Sequence, residues 1–135
     1  MTASPAVPAG RGLLDTSIFI ARERHRPLGP LPENVAISVV TIAELHLGVL
    51  MAGNPRVRAV RLRTLSGVQA LFDPLPIDAA VARAFAEIVS EARRQRKRPK
   101  IMDTWVAATA VAHGLAVYTQ DEDFLAIPQV RAVRV

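Results

Sequence analysis

Five carboxylates occupy positions from which they could share one chemical task. Asp15 directly follows the apolar stretch 12–14, and Asp121 and Asp123 follow the apolar stretch 115–119. Glu44 and Asp103 stand near the starts of two segments with helical periodicity. If these acids converge, their charges repel one another, and a hard divalent cation suits such an all-oxygen ligand set. Because such an ion activates water and neutralises a phosphodiester, the pattern favours a metal-dependent nuclease using Mg²⁺ or Mn²⁺.

Each of these acids also has a local explanation. Asp15 suits the N-cap of a helix, and the spacing of Thr41 and Glu44 matches a capping box. Asp103 suits a helix N-terminus through the helix dipole, and the segment 121–123 suits a polar turn. These local explanations account for positions near helix starts. They do not account for acids placed beside apolar strands and helix faces.

Short apolar strands alternate with helices along the chain. Strands are predicted over 12–14, 35–39, 115–119 and 130–135, with a marginal one over 73–77. Helices are predicted over 16–23, from 40 or 41 to 52, over 55–72, over 78–95 and over 102–113. This alternation predicts an α/β fold with a central, mostly parallel sheet and a site beyond the carboxyl ends of its strands. We expect residues 1–11 to form a flexible tail and residues 12–135 a single domain.

The charge balance points to a polyanionic partner. The 135-residue chain has a net charge of +5 and a sequence pI near 11.0, which suits nucleic acid or an acidic protein. The basic segment, RRQRKRPK at 93–100, is expected to contact RNA phosphates through Arg93, Arg94, Arg96, Lys97, Arg98 and Lys100, with solvated helix surface as the alternative. The chain has no cysteine, no convincing signal peptide and no apolar stretch long enough to span a bilayer, so we expect a cytoplasmic protein.

Other catalytic patterns are absent from the sequence. The chain contains none of the glycine-rich phosphate loops GxxxxGK and GxGxxG, and no GxSxG nucleophile motif. His25, His46 and His113 lack metal-ligand spacing, so surface or C-cap roles are favoured. Trp105 and Tyr118 could stack on a base, but a role in the core is favoured.

An ordered set of segments resembles the PIN-domain ribonucleases and, within them, the VapC-type toxins of bacterial toxin–antitoxin pairs. The matching segments are LLDTSIFI (13–20), SVVTIAELHLGV (38–49), IMDTWVAATAVAHGLAVYTQDEDF (101–124) and the closing strand. The resemblance implies a three-layer α/β/α fold and a metal-dependent endoribonuclease. It also implies a catalytic site of Asp15, Glu44, Asp103 and Asp121.

The same resemblance implies further roles. Asp15, Asp103, Asp121 and, as a further candidate, Asp123 would ligate Mg²⁺ or Mn²⁺. Thr16 and Thr119 would support the site. Position 120 is glutamine, whereas relatives often have arginine there, so a contact between this side chain and the substrate is in doubt.

The resemblance implies partners as well as chemistry. The substrate would be RNA, and a VapB-type antitoxin would hold the toxin inactive in a hetero-oligomer. The toxin itself commonly forms a homodimer. Exposed apolar helix surface near residues 39–65 is the expected docking groove for the antitoxin.

Two other functions compete with this interpretation. A non-catalytic PIN-like module would bind RNA or a protein through the basic segment, without need of Mg²⁺ or of Asp15. A phospho-acceptor receiver domain also gathers aspartates around Mg²⁺. It would have adjacent acids early in the chain and a lysine after the last strand, whereas this chain has only Lys97 and Lys100.

Overall fold

The computed structural model describes residues 10–135, so the predicted tail lies almost wholly outside the described residues. Arg11, which was assigned to the tail, belongs to the first strand. The elements of the described part follow in the order β1 (Arg11–Leu14), α1 (Thr16–Glu23), β2 (Asn34–Ala36), α2 (Val39–Leu50), α3 (Pro55–Leu71), α4 (Ala79–Arg94), α5 (Ile101–Ala112), β3 (Ala116–Thr119), a 3₁₀ helix (Glu122–Ala126) and β4 (Ala132–Arg134).

The four strands of residues 10–135 form a parallel sheet in the order β2-β1-β3-β4. Strands β1 and β3 are central neighbours, with Leu13 opposite Val117 and Leu14 opposite Tyr118. The Asp15 backbone N–H donates to the Tyr118 carbonyl at 3.0 Å, which extends this ladder past the end of β1. Because both strands run in one direction, the residues that follow them emerge at the same edge of the sheet.

Helices cover both faces of this sheet. Leu13 and Val117 point to one face and belong to a buried cluster with Ile88 of α4 and Val106 of α5. Leu14 and Tyr118, one residue further along each strand, point to the other face. That face packs against α1, α2 and α3 through residues such as Ile18, Leu45 and Leu65. The period-two alternation of strand side chains therefore produces the predicted three-layer α/β/α arrangement, in which the parallel sheet is buried on both sides.

The second predicted strand is too long. Strand β2 ends at Ala36, and α2 begins at Val39 because the Ser38 hydroxyl accepts a hydrogen bond from the Val40 N–H at 3.0 Å. The β-branched residues Val39 and Val40 favour a strand locally, but the Ser38 cap and the packing of α2 override that preference.

The marginal strand predicted over 73–77 is reduced to one isolated bridge between Ser38 and Leu75. Pro74 and Pro76 flank Leu75 and have no backbone N–H to extend a ladder. Strand β4 covers Ala132–Arg134 and is shorter than the predicted 130–135.

Trp105 and Tyr118 have the favoured roles in the core, and Trp105 stacks on Phe85 with ring centroids 3.8 Å apart. Within residues 10–135, no helix combines the length and the apolar character needed to cross a membrane.

Candidate active site

Asp15 is a buried carboxylate at the end of β1. Only 3% of the residue is exposed, and its Oδ2 accepts hydrogen bonds from the Ser17 backbone N–H at 3.3 Å and from Thr119 Oγ1 at 3.0 Å. The first bond makes Asp15 the N-cap of α1, which confirms the local explanation for this residue. Burial raises the pKa of Asp15, although the hydrogen bonds from Ser17 and Thr119 oppose that rise. The carboxylate is thus held in place but carries a charge that burial disfavours.

Thr119 fixes Asp15 with respect to Asp121. Its fully buried Oγ1 donates to Asp15 and accepts from the Asp121 backbone N–H at 2.9 Å. The Ser17 hydroxyl lies 3.2 Å from the same oxygen and must be the donor there, because the Thr119 proton is already used. Ser17 also accepts the Gln120 backbone N–H at 2.9 Å. A hydroxyl network therefore ties the start of α1 to the end of β3.

Glu44 reaches the same edge from α2. The Thr16 hydroxyl donates to Glu44 Oε1 at 2.6 Å, and Thr41 Oγ1 lies 3.2 Å from the Thr16 oxygen. The proposed capping box is wrong, because Ser38 caps α2 and Glu44 lies in its second turn, not its first. Glu44 is half-buried, and burial is the main reason that its pKa is raised, with a further contribution from the charge of Asp15. The hydrogen bond from Thr16 works against this rise.

Asp103 carries the clearest sign that the acids converge. It lies in the first turn of α5 and is half-buried. Its pKa rises from 3.8 to about 6, first through burial and then through the charges of Asp15, Asp121 and Glu44. Four carboxylates from separate parts of the chain therefore share one electrostatic environment, which we call the acidic cluster. Lys100 is a cation that partly offsets this repulsion.

Asp123 stands at the rim of the acidic cluster. Its side chain is 59% exposed, and its Oδ2 lies 3.3 Å from the Lys100 ammonium group. The charge of Asp121 raises the pKa of Asp103, whereas Asp123 is paired with Lys100 instead. Asp121 also caps the 3₁₀ helix by accepting the Asp123 N–H at 2.9 Å, in agreement with the polar turn considered from the sequence.

The donor set fits a hard divalent cation. In residues 10–135, no group of three or more Asp, Glu or His side chains is arranged to ligate one ion as the side chains stand. The chemistry of the acidic cluster nevertheless matches such an ion, since it offers carboxylate oxygens, buried hydroxyls and no sulfur. Burial is the main cause of the raised pKa of Asp103, and repulsion from Asp15, Asp121 and Glu44 adds to it. A bound cation would offset both effects, because it stabilises the ionised carboxylates.

The structure divides the basic segment into parts with different surroundings. Arg93, Arg96, Lys97 and Arg98 line a cavity of about 800 Å³, which we call the large cavity. Lys100 lies in a second, small cavity of about 350 Å³, together with Asp103 and Asp123. Arg94 contacts its own helix instead, with its guanidinium 3.4 Å from the Glu91 carboxylate and 3.1 Å from the Ser90 hydroxyl.

Sequence reasoning missed Ser17 and Thr41, whose hydroxyls join the network around the acids. Ser17 had a signal in the motif DTS, which places it in the first turn of a helix that starts beside the sheet edge. Gln120, noted as a departure, donates its side-chain amide to the carbonyls of Pro27 at 3.0 Å and Val135 at 3.1 Å. Its side chain therefore secures the chain terminus. The three histidines are exposed, as the surface interpretation predicted.

Comparison with known proteins supports this fold and shows the family of the chain. The family model of the PIN domain matches residues 12–130. Ribonuclease VapC4 of Mycobacterium tuberculosis is 46% identical over 127 residues, which cover 93% of this chain and 97% of that protein. Ribonuclease VapC5 of the same organism is 42% identical over 137 residues and covers 100% of this chain and 98% of that protein.

A solved structure agrees with the sequence comparison. The crystal structure of VapBC-5 from Mycobacterium tuberculosis, a member of the VapBC family of toxin–antitoxin systems, matches with a TM-score of 0.82. The two chains are 41% identical, and the match covers 93% of this chain and 98% of that one. This chain therefore belongs to the PIN domain family and, within it, to the VapC group.

Proposed function

We propose that this chain is a metal-dependent endoribonuclease that acts as the toxin of a VapBC-type pair in the cytoplasm. The observation that carries the proposal is the convergence of Asp15, Glu44 and Asp121 at one sheet edge, where the hydroxyls of Thr16 and Thr119 hold them. Asp103 joins them, since burial and then the charges of these three acids raise its pKa. Two relatives that align over more than nine-tenths of the chain are named ribonucleases, which supports the reaction class.

The residues divide into ligands and supports. Asp15, Asp103 and Asp121 would hold Mg²⁺ or Mn²⁺, and Asp123 would join them only by leaving Lys100. When bound, the ion supplies activation of water and charge neutralisation at the phosphodiester. Glu44, whose pKa is raised mainly by burial, would be the general base that accepts a proton from the attacking water.

Hydroxyl groups keep the acids in position. Thr16 orients Glu44 through the 2.6 Å hydrogen bond, and Thr119 orients Asp15 while holding the backbone of Asp121. Both threonines are buried, so their hydroxyls are shielded from competing water. We assign them positioning roles rather than contact with the substrate.

The RNA would approach along the basic segment. Arg93, Arg96, Lys97, Arg98 and Lys100 are exposed and lie along cavities that begin beside the acidic cluster. Arginine and lysine bind phosphate without regard to sequence, so these residues position the strand. Arg94 is left out of this set because it pairs with Glu91.

The partner would be a VapB-type antitoxin. The crystallised relative VapBC-5 is described as a toxin–antitoxin system, which supports such a partner here. The exposed apolar residues Leu47, Leu50 and Met51 at the end of α2, with Leu62 on α3, offer a surface near the expected groove. A homodimer and a larger hetero-oligomer with the antitoxin belong to the same proposal.

Cleavage of RNA tests the catalytic part of this proposal. The purified chain, free of antitoxin, is incubated with total RNA from its host in Mg²⁺ or in excess EDTA, and new 5′ ends are mapped by sequencing. We expect discrete ends in Mg²⁺ only, and their loss in Asp15→Asn. The matched control is Asp73→Asn, an identical chemical change at an exposed site remote from the acidic cluster. Circular dichroism checks that both variants are folded.

The alternative is a non-catalytic module that binds RNA or protein through its basic surface. Binding of RNA without new ends in either condition would favour that module. Wild-type cleavage by Asp15→Asn would contradict the assignment of the acidic cluster.

A further inference from the structure

The large cavity lies between the end of α4 and the start of α5. Val89 and Ala92 of α4 form one wall, and Ile101 and Thr104 of α5 form another. Its volume of about 800 Å³ falls within the ~300–1,000 Å³ typical of sites for small ligands. None of the residues assigned to the acidic cluster lines it.

The lining of the large cavity combines two chemistries. Val89, Pro99 and Ile101 present apolar surface, and four cations of the basic segment surround it: Arg93, Arg96, Lys97 and Arg98. An apolar wall suits the face of a nucleobase, and guanidinium groups suit both the phosphate and the base plane. This combination is what a nucleotide requires, whereas a free phosphate would not need the apolar wall.

The large cavity continues toward the acidic cluster. Lys97, Arg98 and Pro99 line both the large cavity and the small one. The small cavity also contains Asp103 and Asp123. A single strand of RNA whose scissile phosphate lies at the acidic cluster can therefore place a neighbouring nucleotide in the large cavity. This continuity favours RNA over a protein ligand.

The end of α4 sets the position of Arg96 in the large cavity. Helices α1, α4 and α5 end in the same Schellman motif, in which the residue after the C-cap has a positive φ. In α5 that residue is Gly114, with φ of 65°, which is the residue that the motif favours. In α4 it is Arg96, with φ of 57°, and in α1 it is His25, with φ of 54°. A side chain with positive φ is strained, and Arg96 bears that strain at the wall of the large cavity.

We infer that the large cavity is a nucleotide subsite, which seats one base of the RNA strand beside the scissile phosphate and contributes to the choice of cleavage position. Arg93, Arg96 and Arg98 hold the flanking phosphates, and the apolar wall receives the base. The inference rests on the proposed function for the placement of the scissile phosphate.

Charge removal inside and outside the large cavity tests the subsite. The variant Arg93→Gln with Arg98→Gln removes two cavity charges, and the control Arg83→Gln with Arg94→Gln removes two charges from α4 outside it. Binding of a fluorescein-labelled, single-stranded RNA 12-mer is measured by anisotropy in EDTA at several salt concentrations. We expect the cavity variant to bind about 10–30-fold more weakly, with a salt slope reduced by about 1.4, and the control to lose less than about threefold. Equal losses in both variants would overturn the subsite.

A glycine substitution separates stability from binding at Arg96. Arg96→Gly and His25→Gly both relieve a positive φ in the same motif, so each should raise Tm by about 3 °C. Only Arg96→Gly should also weaken binding of the RNA 12-mer, by about fivefold. Unchanged affinity in Arg96→Gly, with the expected rise in Tm, would show that Arg96 does not hold RNA.

Cross-linking locates the base. An RNA 12-mer containing 4-thiouridine is irradiated with the chain in EDTA, and the attached peptides are identified by mass spectrometry. Attachment within residues 89–104 supports the subsite, and attachment only outside them overturns it. Because these tests use no metal, they can fail while the mapped 5′ ends still support cleavage. Conversely, a cross-link in the large cavity without any cleavage would contradict the proposed nuclease activity and leave the nucleotide subsite standing.

Discussion

The acidic cluster and the basic segment organise charge in opposite ways. The acids come from four places between residues 15 and 121, and the fold brings them to one half-buried edge. The cations are contiguous in sequence, and the fold separates them between the large cavity, the small cavity and the surface of α4. A dense run of charge is therefore a weaker guide to one site than dispersed acids that each follow a strand or begin a helix.

The physical basis of this difference is burial. Asp15 is held by two hydrogen bonds in a site almost without solvent, so its charge acts strongly on its neighbours. The cations of the basic segment are exposed, and water and salt screen them from one another. Buried charge needs a partner of defined geometry, whereas exposed charge needs only a polyanion nearby.

The largest expected effect is a loss of RNA cleavage, which should differ between variants of the acidic cluster and variants of the basic segment. Asp103→Asn should reduce RNA cleavage in Mg²⁺ by about 10³-fold, because under the proposed function it removes a ligand of the ion that neutralises the phosphodiester. Arg98→Gln removes one charge of the basic segment and should reduce cleavage at low substrate by only about fivefold. Initial rates on one defined RNA measure both. Comparable losses in the two variants would remove the distinction between the regions.

The same Asp103→Asn variant should be more stable than the wild type above pH 6. The folded pKa of about 6 exceeds the ordinary 3.8, so the native state binds more protons than the unfolded state between these values. The free energy of unfolding of the wild type therefore falls as pH rises from about 4 to 6. The Asp103→Asn variant does not show this decrease, because asparagine does not ionise. Because Asp103 is half-exposed, we expect a gain of only about 1 kcal/mol.

Urea unfolding at pH 4.5 and pH 8, without divalent ions, measures this gain. The advantage of Asn should be fully present at pH 8 and reduced to about a third at pH 4.5. An advantage that does not change with pH would mean that neither the burial of the ionised Asp103 nor the repulsion within the acidic cluster is its cause.

The smallest effect is expected where the two regions meet. Lys100 and Asp123 form an ion pair at 3.3 Å, but both side chains are mostly exposed. Lys100→Gln should therefore shift Tm by less than about 1 °C at physiological salt. Differential scanning fluorimetry of Lys100→Gln, Asp123→Asn and the double variant measures any coupling. If the Tm change of the double variant differed by several degrees from the sum of the two single changes, the ion pair would contribute to the stability of the site.

The sequence by itself determined the order of elements, the parallel α/β class and the candidate acids. These follow from short-range patterns: apolar strands, helical periodicity, and acids placed just after strands or at helix starts. The N-cap role of Asp15 and the first-turn position of Asp103 are equally local, and the structure confirms both.

Only the tertiary structure decided how these residues meet. The start of α2 was wrong by one or two residues, because the Ser38 cap and sheet packing outweighed the strand preference of Val39. The partner of Glu44 is Thr16, 28 residues away, rather than its own helix. The division of the basic segment depends on a left-handed turn at Arg96, which sequence patterns did not reveal. Contacts between distant segments depend on how whole layers pack, and no local pattern encodes that packing.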